Sequence, residues 1–121
     1  MKKVFNEESL MAWKTIDSQN WMSFVSEITN VFFDVGKIQI DSLKSAWLEK
    51  DYAKVGQIAH SLKSTCGNVG AERAHELLDQ IESAIAKKDL ANLDSMMEKI
   101  DPLFNESASN VFEFVKKNQA A

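Results

Sequence analysis

The chain has 121 residues, a length that fits one small domain with a modest core. Four Gly and one Pro, against 45% hydrophobic and 26% charged residues, argue against a sandwich of short strands and for long uninterrupted elements. The net charge of −4, with no basic cluster denser than the lysine pairs at 2–3, 87–88 and 116–117, disfavours nucleic-acid binding, and no stretch approaches the roughly 18 apolar residues of a membrane span.

Helical spacing of apolar residues runs through almost the whole chain. A short first helix fits 7–16, with Asn6 as N-cap and glutamates in its first turn, where they suit the helix dipole. A long second helix is expected over 18–50, anchored by Trp21, Phe24, Val25, Ile28, Val31, Phe32, Val35, Leu43 and Trp47, with a bend at Gly36. Asp51 then caps a third helix over 52–68, whose stripe is Val55, Ile58, Ala59, Leu62, Cys66 and Val69, and Gly70 supplies the reversal. The fourth helix, 71–87, carries Ala74, Leu77, Leu78, Ile81 and Ile85. Asp89 is expected to cap the fifth, with Leu90, Leu93, Met96, Met97, Ile100, Phe104, Val111 and Val115, and Pro102 should kink or restart it. Joints of two or three residues force neighbouring helices antiparallel. The fold class is therefore all-α: an up-down-up-down four-helix bundle, core about 18–117, with the short first helix across one end of a single domain, 1–121.

One face of the third helix needs explanation. Around His60 lie Gly56 and Gln57 one turn before, Lys63 and Ser64 one turn after, and Gly67 two turns on. The opposite side is core, so His60 should face solvent. An interior glycine destabilises a helix by about 1 kcal/mol relative to alanine. Two of them beside an imidazole suggest that something large must come close, and Gly56, Gln57, Ser64 and Gly67 are the expected partner-docking positions. Lys63 adds a mobile cation with three donors. A neutral imidazole keeps a nucleophilic lone pair, so the three features together describe a phosphoryl acceptor; a merely solvated histidine beside a lysine is the plainer reading of the same spacing.

"AHSLKSTCGNVGA" resembles the signature of histidine-containing phosphotransfer (HPt) domains, the carriers of multistep two-component signalling. Ala59, His60, Leu62, Lys63, Gly70 and Ala71 fall on the family pattern, while Ser64 stands where the family usually has glycine. The helix order, "VFFDVGKIQIDSL", "AWLEKDY" and "LLDQIE" extend the likeness over roughly residues 5–117. The resemblance implies that His60 is phosphorylated through Nε2 and that Lys63 stabilises the phosphoryl group. It also implies response-regulator receiver domains and a hybrid sensor histidine kinase as partners, with receivers docking on the first two helices beside the histidine helix. Mg²⁺ would be supplied by the receiver. No P-loop or glycine-rich nucleotide loop is present, so a carrier without autokinase activity is expected, with no cofactor and no metal of its own.

The alternative is a helical bundle that binds a receiver or kinase without accepting phosphate. A di-iron bundle is disfavoured, because Glu72-x-x-His75 occurs once and the two histidines are staggered by on the order of 7 Å along the hairpin. Cys66, the single cysteine, sits on the core stripe and suits a buried thiol in a reducing compartment. "MKKVFNEESL" reaches two glutamates before any apolar stretch develops and does not read as a signal peptide. A cytoplasmic monomer is expected, and the starting Met with a complete helix set suggests a free-standing protein.

Overall fold

A computed structural model describes residues 2–119. It contains five helices: α1 (Glu8–Ile16), α2 (Trp21–Leu48), α3 (Tyr52–Val69), α4 (Glu72–Ala86) and α5 (Leu93–Gln119), with no strand among the described residues. Helices α2 to α5 pack in sequence, and α5 returns to α2 to close the ring. The expected four-helix bundle is the observed one. Its core is a single apolar cluster in which Phe32, Ile40, Leu43, Leu62, Leu78, Ile81 and Ile100 are completely buried.

Helix ends follow local chemistry. Asp51 caps α3 as expected, its Oδ1 accepting the Lys54 N–H at 3.2 Å. The N-cap of α1 is Glu7 rather than the expected Asn6, whose Oδ1 accepts from the Glu8 N–H at the start of the helix. Helix α2 starts at Trp21 rather than 18, because the Asp17 carboxylate holds the N–H groups of Gln19 and Asn20 and keeps 17–20 as a turn. At its other end Lys50 adopts φ 59°, which stops the helix at Leu48. Helix α5 starts at Leu93, four residues after the expected cap. The Asp89 side chain accepts from the Ala91 N–H in a local turn instead.

Neither expected irregularity interrupts its helix. Helix α2 runs unbroken through Gly36, where a Cβ would stand 2.8 Å from the Phe104 ring, so the glycine admits α5. Helix α5 runs through Pro102, which is exposed together with Glu98; the carbonyl that loses its donor lies on the solvent side.

Helix α1 lies at the end of the bundle where α3 turns into α4. The Asn6 N–H donates to the Gly70 carbonyl at 2.8 Å, and the Arg73 N–H to the Lys3 carbonyl at 3.1 Å. Leu10 is completely buried, and Trp13 packs on Phe24 of α2 with ring centroids 5.5 Å apart. Beyond that cover, Val31, Val35 and Ile38 remain exposed along one strip of α2.

Candidate functional site

His60 stands in the middle of α3 with 67% of its side chain exposed. It projects because α3 buries the other side, where Val55, Ala59, Leu62, Cys66 and Val69 are inaccessible to solvent. Burial pushes the Cys66 thiol up to about 12, so it is a core atom group and not a nucleophile at neutral pH.

The imidazole is not free to spin. Its Nδ1 lies 2.7 Å from Oε2 of Glu82 on α4. Glu82 is held below the usual carboxylate range, first by the hydrogen bond from Lys63 and then by the one from His60, with burial opposing both. An ionised carboxylate only accepts, so Nδ1 carries the proton and donates it. In the neutral ring this leaves the lone pair on Nε2.

Lys63 is the second half of the arrangement. Its Nζ donates to Glu82 Oε1 at 2.7 Å and to Asp79 Oδ1 at 3.0 Å, and only 20% of its side chain is exposed. These hydrogen bonds, the Glu82 bond foremost, raise the Lys63 pKa above its ordinary 10.5. The sequence reading took this lysine as a mobile cation; it is a tethered one. Glu82 therefore bridges the two motif residues, one oxygen on each.

Sequence reasoning missed Glu82 and Asp79. A signal was present. In an antiparallel hairpin, residues equally far from the turn meet, and His60/Glu82, Lys63/Asp79 and Gly67/His75 are each symmetric about Ala71.

That register also gives the glycines a role within the fold. A Cβ on Gly67 would come 3.0 Å from Nδ1 of His75, whose ring lies against it and donates to the Lys63 carbonyl at 3.0 Å. A Cβ on Gly56 would come 3.1 Å from Cγ2 of Ile85. The room left by both glycines is taken up by α4 of the same chain. Gly56 and Gln57 nevertheless line an open groove of about 500 Å³ between α3 and α4, together with Ala53, His60, Glu82 and Ile85. Ser64 is exposed one turn from His60.

The Glu72/His75 pair does not converge. Glu72 accepts from the Lys3 N–H and the Asn6 amide, whereas His75 turns to the Lys63 carbonyl. Among the described residues no three His, Cys, Asp or Glu side chains gather as a ligand set. No helix of the described residues is long and apolar enough to cross a membrane.

Comparison with known proteins agrees with this geometry. No significant match to a curated protein is found by sequence. The fold is similar to the crystal structure of histidine-containing phosphotransfer protein B (HptB) from Pseudomonas aeruginosa PAO1, with a TM-score of 0.78 at 14% identity, covering 97% of this chain and 98% of that one. The family model for the Hpt domain matches residues 27–111, more than two thirds of the chain. With an exposed histidine in its signature helix and a helical bundle to carry it, the chain belongs to the Hpt domain family, and its role is histidine phosphotransfer in a phosphorelay.

Proposed function

We propose that His60 is the phosphoryl-accepting residue and that the chain carries phosphoryl groups between the aspartates of response-regulator receiver domains, the first of them belonging to a hybrid sensor histidine kinase. The observation that carries this reading is the Nδ1–H of His60 fixed on Glu82, which leaves Nε2 outward on an exposed ring. The Nε2 lone pair attacks phosphorus in line, the bond from phosphorus to the aspartyl oxygen breaks, and its electron pair leaves with the donor carboxylate. No proton need move at Nε2. This chain contributes position and charge.

Lys63 supplies a charge-assisted donor to the transferred oxygens. Mg²⁺ is assigned to the receiver, and the chain itself needs no cofactor. The receiver lies over α3, reaching Gln57, Ser64 and the open groove at Gly56, with Gly67 at its margin and the exposed Val31, Val35 and Ile38 of α2 beside it. The apolar strip and the imidazole belong to neighbouring helices, α2 and α3, joined by the Gln39 amide, which bonds Ser61 and Thr65. The chain acts in the cytoplasm as a monomer.

Incubation with a labelled phospho-receiver and Mg²⁺ tests this. Label should pass to the chain as an acid-labile, base-stable phosphate and disappear in His60→Gln. Label that survives in His60→Gln would move the site elsewhere. A stable complex without label would establish the binding-only role.

A further inference from the structure

We infer that Asp79 sets the lifetime of the phosphorylated carrier by competing with the phosphoryl group for the Lys63 ammonium. The inference rests on His60 being the acceptor. Two carboxylates, Glu82 and Asp79, face one ammonium, so the cluster beside the imidazole already holds one negative charge in excess. Transfer adds another. The Nε2–P bond forms as the donor's O–P bond breaks, and the incoming PO₃ unit brings one net negative charge. The ring becomes cationic and keeps its Nδ1–H on Glu82, so Glu82 is committed to the imidazole and to the shorter Lys63 bond.

These carboxylates take two of the three N–H donors of Lys63, so the phosphoryl oxygens share one ammonium with both and pull it away from one of them. The Asp79 contact is the one to yield, being longer, 3.0 Å against 2.7 Å, with Asp79 the more exposed partner, 63% against 29%. As long as Asp79 keeps its charge it draws Lys63 back, leaving the phosphoryl group less well neutralised. A carrier built this way holds its cargo at high transfer potential and passes it on readily. Asp79 touches neither the imidazole nor the reacting atoms; it is a positioning residue acting through Lys63.

The test uses the full chain phosphorylated chemically with phosphoramidate and followed by ³¹P NMR after the donor is removed. Asp79→Asn keeps the side-chain shape and removes the charge. It should lengthen the phosphohistidine half-life by roughly two- to fivefold, the scale of an exposed ion pair. Asp79→Glu should restore the short half-life, and thermal melting of Asp79→Asn reports its folding. In a Lys63→Ala background Asp79→Asn should change nothing. An unchanged or shorter half-life in Asp79→Asn overturns the inference and leaves His60 as acceptor. Equal lengthening in the Lys63→Ala background also overturns it, because the carboxylate would then act by direct repulsion. Absence of label on wild-type His60 overturns both this inference and the reading beneath it.

Discussion

Oε2 of Glu82 and Nδ1 of His60 lie 2.7 Å apart, and that one contact holds the imidazole proton on Nδ1 and leaves the lone pair on Nε2. Replacing Glu82 by alanine should release the ring to exchange tautomers. Nitrogen-15 NMR of the imidazole should show the Nδ1–H form dominant in the wild type and lost in Glu82→Ala. Phosphoryl acceptance should slow about three- to tenfold, as fits loss of an orienting, partly exposed charge-assisted bond. An unaltered tautomer would mean that the contact orients nothing.

The same carboxylate makes stability depend on pH. Glu82 titrates below its ordinary 4.5 in the folded chain, so its contribution is present above that value and is lost as pH falls through the lowered one. Lys63 is raised above 10.5, so its contribution is present below that value and is lost as pH rises through the raised one. The difference in melting temperature between wild type and Glu82→Gln should therefore be fully present above 4.5 and shrink as the pH falls below it. Melts in a series of buffers check this.

Three glycines should respond differently to alanine. At Gly70, φ 85° is left-handed, and a Cβ would strike the Asn6 carbonyl oxygen, which belongs to the segment leading into α1. Gly70→Ala should be the most damaging, by about 2 kcal/mol or more. At Gly36 the Cβ meets a Phe104 ring that is 3% exposed and packed on Phe32 at 4.9 Å, so the ring has little room to retreat. Overpacking of about 1–3 kcal/mol, less about 1 kcal/mol of helix propensity, leaves Gly36→Ala net destabilising. At Gly56 the neighbour is Ile85, half-buried and able to yield a few tenths of an ångström, so Gly56→Ala should be neutral within about 0.5 kcal/mol. Denaturant unfolding ranks the three.

Two lysines sit where glycine is favoured. Lys50 and Lys88 have φ 59° and 56°, each just past a helix end. Each closes the same pattern as Gly70, with the following N–H returning five residues: Asp51 to Ala46, Asp89 to Ala84, Ala71 to Cys66. Lys50→Gly and Lys88→Gly should each stabilise the fold by roughly 0.5–1 kcal/mol, since glycine adopts this conformation without the Cβ clash. Chemical denaturation with an unchanged slope is the measurement.

What the sequence determined by itself is whatever depends on residues within a turn or two of one another. The number and order of the helices, the Asp51 cap, the Gly70 reversal and the outward face of His60 all follow from rules at spacings of one to four residues. The short joints then allow little but an antiparallel bundle. Helix ends were less legible. Side chains such as Asp17 and Asp89 capture nearby N–H groups and hold them out of the helix, which apolar periodicity does not register. Tertiary structure decided which side chains of α4 face α3, because that depends on the stagger of two helices meeting across a turn. It turned Gly56 and Gly67 into seats for Ile85 and His75, and Lys63 into a tethered cation. It also brought Glu82, far from His60 along the chain, to Nδ1 of the imidazole, which leaves the lone pair on Nε2.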